Sequence, residues 1–163
     1  MPHVVLLGTM GSGKTTVGRA LAARLGRRYW DNDAELVARA GRTAAEVAAA
    51  DGIDALHDLE ASVLAAGLAL PEPAVVAAPG SAALRRPSLG DAFVVWLRAR
   101  PETLAARMAG GDRPELGVVE SVDAERRPGF AALATYVVDT DGRTPEQVVE
   151  AIAERLRASR PFS

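Results

Sequence analysis

Short apolar runs alternate along the chain with stretches whose apolar residues recur every three or four positions. His3-Val4-Val5-Leu6-Leu7 is the first run, and its unbroken apolarity predicts a strand buried on both faces. Val17, Leu21 and Leu25 then share one stripe, which predicts a helix from Gly13 to Leu25. Arg28-Tyr29-Trp30 predicts a second strand, ending in Asp31-Asn32-Asp33. Helices are expected at about 33–40, 43–50 and 53–69. Ala74 to Ala78 predicts a third strand, closed by Pro79-Gly80-Ser81, and Ala92 to Leu97 a fourth. Pro101 suits the first turn of a helix running to about Ala109. The glycine-bearing stretch 110–119 reads as a loop, about 120–134 as a helix, and Tyr136-Val137-Val138 as a fifth strand. Thr144-Pro145 starts a last helix with Val148, Val149, Ile152 and Leu156 on its inner face.

Strands alternating with helices imply a parallel sheet covered on both faces. The expected architecture is one α/β domain over residues 1–163, a three-layer α/β/α fold on five parallel strands. Ligands of such sheets bind at the carboxyl ends of the strands. Four segments reach that edge: Gly8 to Thr16, Asp31 with Asp33, Pro79-Gly80-Ser81, and the residues after Val138.

The first segment carries the clearest chemistry. Gly8-Thr9-Met10-Gly11-Ser12-Gly13-Lys14-Thr15 is a complete G-x-x-x-x-G-K-[ST] phosphate-binding loop, placed between a strand and a helix. Its glycines let successive N–H groups face inward as an anion nest, and the helix N-terminus adds partial positive charge. Gly8, Met10, Gly11, Ser12, Gly13, Lys14, Thr15 and Thr16 are expected to wrap the phosphates of ATP, with the Thr15 hydroxyl on Mg2+. Lys14 is also the only lysine among nineteen basic residues. A composition that uses arginine everywhere else keeps lysine where a compact ammonium is needed and a planar guanidinium would be too bulky.

Composition narrows the remaining possibilities. Net charge is -2, so no global field draws nucleic acid or an anionic membrane. The pairs Arg27-Arg28, Arg85-Arg86 and Arg126-Arg127 are too short to form a basic patch, and Arg85-Arg86 reads as a solvated loop pair. The chain has no cysteine and therefore no thiol chemistry. The apolar region Ala61 to Leu84 is broken by Pro71, Glu72 and Pro73, and reads as helix, turn and strand instead of a membrane span. The chain opens directly on an expected core strand, so no cleavable leader is expected. A cytoplasmic, monomeric protein is expected, with no nucleic-acid or membrane partner.

Asp31 and Asp33 are the candidate acidic pair. In extended chain, residues two apart point the same way, so both carboxylates are expected to face the phosphate loop. Phosphoryl transfer needs a magnesium ligand and a group that orients or deprotonates the attacking hydroxyl, and the pair could divide those tasks. The alternative is that Asp31 caps the next helix and Asp33 sits in its first turn.

At this point the sequence resembles the shikimate kinase family of small P-loop kinases. The resemblance spans nearly the whole chain: the loop, Asp31-x-Asp33, Gly41-Arg42-Thr43 with Glu46 and Gly52, Glu60, Val95-Trp96-Leu97, Arg107, Arg113-Pro114, Arg126 with Pro128, Val138-Asp139-Thr140, and Pro145. It implies that Asp31 holds magnesium together with Thr15 and that Asp33 binds the acceptor hydroxyl as candidate base. It implies that Arg113 touches the phosphates from a lid at about 110–120, while Arg107 and Pro145 flank adenine. Arg126 is then the clamp on the acceptor's carboxylate, Gly80 the point of close backbone approach, and the helices at about 33–69 the mobile acceptor-binding segment.

The acceptor half departs from the family's pattern. The motif G-E-x-x-F-R-x-x-E reads Gly52-Ile53-Asp54-Ala55-Leu56-His57-Asp58-Leu59-Glu60, which places His57 where an arginine is usual. Three glycines after the third strand have become Pro79-Gly80-Ser81, the R-P-L-L lid reads Arg113-Pro114-Glu115-Leu116, and the stretch from there to Arg126 is short. The expected activity is transfer of the γ-phosphoryl of ATP to a hydroxyl of a small metabolite, shikimate or a related cyclic hydroxy acid. The alternatives are a gluconate-type sugar acid as acceptor, or a nucleotide-binding module without catalysis.

Overall fold

The computed structural model describes residues 1–108 and 115–160. The chain runs β1 (Val4–Leu7), α1 (Lys14–Leu25), β2 (Arg28–Asp31), α2 (Asn32–Ala40), α3 (Ala44–Asp51), α4 (Ile53–Leu68) and β3 (Ala74–Ala77). It continues through α5 (Ala82–Arg85), β4 (Phe93–Arg98), α6 (Pro101–Arg107), α7 (Leu116–Leu133), β5 (Tyr136–Asp139) and α8 (Pro145–Ala158). All strand pairs are parallel, in the order β2-β3-β1-β4-β5, with Val5 paired to Val76 on one side and to Val94 on the other. The expected α/β/α architecture is therefore observed.

Strand periodicity divides the core. Val4 and Leu6 face α1 and α8, where they meet Val17, Leu21, Val148 and Ile152. Val5 and Leu7 face the opposite way, toward Leu36, Leu64, Trp96 and Phe130. Both faces of β1 are completely buried, which is why its sequence is apolar without interruption. Trp96 is a core residue, its ring 5.8 Å from that of the fully buried Phe130.

The strand order creates the crevice. From β1 the chain crosses to β2 on one side, while from β3 it crosses to β4 on the other. The loops after β1 and β3 therefore separate at the carboxyl edge, which is where a ligand fits in an open α/β sheet.

Several boundaries differ from expectation. α7 begins at Leu116 rather than near 120, because Val119 buries its side chain against Leu104 and Ala105 of α6. α5, four residues long, was not expected. Its Arg85 is exposed but is not a solvated loop residue, since it donates to Asp58 of α4 at 2.9 Å. Among the described residues, no helix is long and apolar enough to cross a membrane.

Candidate active site

The loop between β1 and α1 owes its shape to residues without side chains. Gly11 and Gly13 adopt left-handed backbone, with φ of +85° and +97°. Ser12 N–H donates to the Thr9 carbonyl at 3.1 Å, closing the turn that leads into α1. Met10, Gly11, Ser12, Gly13, Lys14, Thr15 and Thr16 line a cleft of about 840 Å³, whereas Gly8 stands behind Ser12 and does not. The Ser12 side chain is buried and its Oγ has no partner among the described residues, so the part of Ser12 available to a ligand is its backbone.

Lys14 reaches across the crevice, its Nζ donating to the Ala78 carbonyl after β3 at 3.1 Å. Burial lowers its pKa, while Asp33 and, more weakly, Asp31 and Glu60 favour the charged form and Arg126 opposes it. An ammonium held in this way responds strongly to incoming phosphate charge.

Arg107 braces the other side of the loop. Its Nη1 donates to the Gly11 and Ser12 carbonyls at 3.4 Å each and to Thr140 Oγ1 at 2.9 Å, and its Nη2 donates to the Thr140 carbonyl at 3.1 Å. These bonds draw the loop carbonyls outward. Arg143, Pro145 and Val148 continue this half of the cleft.

The acidic pair is built differently from the extended-chain expectation. β2 ends at Asp31 and α2 starts at Asn32, so Asp33 lies in the first helical turn. Asp31 caps that helix, its Oδ1 accepting from the N–H groups of Asp33 at 3.0 Å and Ala34 at 3.4 Å. Its Oδ2 accepts from the Tyr29 hydroxyl at 3.3 Å, and the same hydroxyl stands beside Thr15. Burial, followed by the charge of Asp31, pushes the Tyr29 pKa up to about 12. Asp33 lines the cleft and Asp31 does not; the two carboxylates are not parallel.

The remaining wall comes from α2–α4, the loop after β3, and α7. Val37, Ala44, Ile53 and Leu56 give it an apolar side, and His57, Glu60, Ser81 and Arg126 a polar one. Arg126 Nε is buried without a partner among the described residues. A β-carbon on Gly80 would collide with Arg126 Nη1, so glycine at 80 lets the guanidinium lie against the backbone. Arg113 lies outside the described residues.

Sequence reasoning named Glu60 and Thr140 only as parts of the family pattern, without a role, and missed Tyr29 and Asn32. Glu60 is only 9 % exposed, and its carboxyl lies between Ser81, His57, Asp33 and Arg126. Asn32 is buried beneath it and donates to the Glu60 carbonyl at 3.1 Å. Tyr29 and Thr140 orient Asp31 and Arg107. The useful signal was polarity at positions that should be core; which partners they meet depends on strand order.

A loop that presents N–H groups and one lysine to phosphates, facing a pocket with a carboxylate and a guanidinium, defines an ATP-dependent small-molecule kinase, which moves a phosphoryl group onto a hydroxyl. A family model described as shikimate kinase matches residues 10–157. The shikimate kinase of Symbiobacterium thermophilum is 42% identical over 95% of this chain and 96% of its own length, and that of Thermobifida fusca 40% over 97% and 96%. The chain belongs to the shikimate kinase family. Among solved structures, a shikimate kinase from Acinetobacter baumannii in complex with shikimate superposes with a TM-score of 0.85 at 26% identity, covering 99% of this chain and 96% of the other. A gluconokinase from Sinorhizobium meliloti shares the fold, with a TM-score of 0.69 at 22% identity over 98% of each chain.

Proposed function

We propose that this kinase phosphorylates a hydroxyl of shikimate, with magnesium accompanying ATP. The observation that carries the reading is that Arg126, whose buried Nε has no partner among the described residues, lines the same pocket as Asp33 and Lys14. A hydroxy acid matches this pair: its carboxylate meets Arg126 and its hydroxyl meets Asp33. The relatives named shikimate kinase, and the neighbour bound to shikimate, favour this acceptor over a sugar acid.

Asp33 orients the acceptor hydroxyl and is placed to take its proton. Lys14 meets the phosphate charge, and the loop N–H groups hold the phosphates without reorganising. Arg107 and Pro145 border the space for the base. Arg113 completes the proposed phosphate contacts.

The donors available to magnesium are hard oxygens, the Thr15 hydroxyl and the Asp31 carboxylate. Among the described residues, no group of three His, Cys, Asp or Glu is spaced as a metal site. That set suits an ion that keeps its waters and arrives on nucleotide phosphates. Magnesium would supply charge neutralisation at the phosphates, while Tyr29 and the helix cap fix Asp31. The absence of a long apolar helix among the described residues is consistent with a cytoplasmic enzyme.

The test is ATP consumption with shikimate, gluconate and a nucleoside in parallel, alongside a thermal-shift titration. At about a hundredfold its dissociation constant, magnesium-ATP stabilises the fold by roughly 2.7 kcal/mol, a rise in Tm of roughly 5–10 °C. Turnover confined to shikimate is the expected result. A Tm rise with turnover of another acceptor alone would remove shikimate and leave the ATP site standing.

A further inference from the structure

The sequence sets Arg127 beside Arg126, and the proposed reaction uses only Arg126. Arg127 does not line the cleft, yet it is held by three groups. Its Nε donates to Asp123 Oδ2 at 2.6 Å, one helical turn back on α7. Its Nη2 donates at 3.1 Å to the carbonyl of Ala99, in the turn between β4 and α6. Its guanidinium also lies over the Trp96 ring of β4, 5.7 Å from the centroid. Asp123 is 6 % exposed, so solvent competes with this ion pair less than with one on the surface.

These contacts belong to one stripe of α7. Asp123, Arg127 and Phe130 follow one another at spacings of four and three, and so share a face. Phe130 packs on the same Trp96, whose backbone is paired with Leu7 of β1 and Val137 of β5. The stripe therefore rests on the sheet itself. α7 needs that support at this point. Pro128 stands inside the helix without an N–H, which leaves the Ala124 carbonyl lacking its usual helical partner. Gly129 follows, a weak helix former placed where a β-carbon would overlap the Ala83 carbonyl of α5. The backbone next to Arg126 is thus fixed in part by what α7 docks on.

Successive helical residues are about 100° apart, so Arg126 points into the cleft and against Gly80 while Arg127 points at Trp96. A side chain about 6 Å from the helix axis moves by about 1 Å when the helix rolls by about 10°. A misplacement of that size is enough to spoil a bidentate grip on a carboxylate. Resting on the reading of Arg126 as the clamp on the acceptor's carboxylate, we propose that Arg127 is a positioning residue. With Asp123 and Trp96 it fixes the roll of α7 and so aims the Arg126 guanidinium at the acceptor.

The experiment measures Tm, kcat and the KM for shikimate and for ATP in R127M, R127K and the double variant D123L/R127M. R127M should raise the shikimate KM roughly tenfold, the lower end for a lost charged hydrogen bond, and leave the ATP KM within about twofold. It also strands the buried Asp123 carboxylate, so Tm should fall, and the double variant should recover Tm by removing that carboxylate. The shikimate KM should nevertheless stay raised in the double variant. R127K keeps the charge without the planar fork and should fall between wild type and R127M. A shikimate KM that returns to the wild-type value together with Tm would make the pair merely structural and overturn the inference. So would an R127M value within about twofold of wild type. If R127M does not fold, R127K decides: a shikimate KM raised roughly threefold supports the role, and an unchanged one overturns it. R126A, run alongside, separates the two layers of the argument. A shikimate KM raised by R126A but indifferent to R127M sinks only the positioning role. Indifference to both, or no shikimate turnover by wild type, sinks the clamp reading as well.

Discussion

Gly80 and the guanidinium of Arg126 lie in such close contact that a β-carbon at position 80 would overlap Nη1. The backbone after β3 is therefore one wall of the arginine's seat. Gly80→Ala should displace the guanidinium and weaken the acceptor by about 1.5–3 kcal/mol, the range for a charged hydrogen bond, or roughly tenfold to a hundredfold in KM. The KM for ATP should not change. Steady-state kinetics with each substrate varied in turn gives the answer, and an acceptor KM within about twofold of wild type would mean that the guanidinium shifts without loosening the acceptor.

Lys14 is the next expected sensitivity. Lys14→Ala should lower turnover at least roughly 10²-fold, the scale for losing one preorganised donor. Lys14→Arg should also be poor, because the fork must fit where a single ammonium now reaches the Ala78 carbonyl. Turnover near the wild-type value in both variants would contradict this role.

Thr140 is only 2 % exposed, and its hydroxyl accepts from Arg107. Thr140→Val keeps the shape and removes that acceptor, loosening the brace on the phosphate loop. The expected cost is about 1 kcal/mol, read as a KM for ATP raised roughly fivefold with the acceptor KM unaltered. A change confined to thermal stability would reduce Thr140 to a packing residue.

Glu60 makes a prediction for stability. Its pKa is raised by burial, so the folded state keeps a proton that the unfolded chain releases. The stability linked to that proton is complete below the unfolded value of about 4.3 and is lost as pH rises through the folded value. Glu60→Gln has nothing to titrate. Its stability relative to wild type should therefore improve as pH rises above that unfolded value, measured by urea unfolding at each pH. A difference that stays constant with pH would mean that folding does not shift the Glu60 carboxyl.

Much of this molecule is legible in its sequence because the relevant physics is local. β1 and β3 are apolar on both faces because both faces are covered, and the phosphate loop encodes its own turn within a few residues. Of the two readings of the acidic pair, the parallel one gave way to the helix cap because the chain turns helical immediately after β2, so a period of two no longer applies. α5 is a single turn, too short to show any period. The start of α7 was set by Val119 packing on α6, a contact between elements. Glu60 and Thr140 stood in the family pattern, but their partners could not be read from it for the same reason: strand order brings each partner to its place.

The reach of Lys14 over the Ala78 carbonyl has a practical consequence. This is the only lysine of the chain, and burial lowers its pKa, so the free-amine fraction exceeds that of an exposed lysine at the same pH. Apart from the α-amine of Met1, reagents that acylate amines thus have one target, a side chain that lies in the phosphate site. Loss of activity should follow acylation of that single side chain one for one, and bound nucleotide should block both together, so that the intact protein serves as its own active-site titrant.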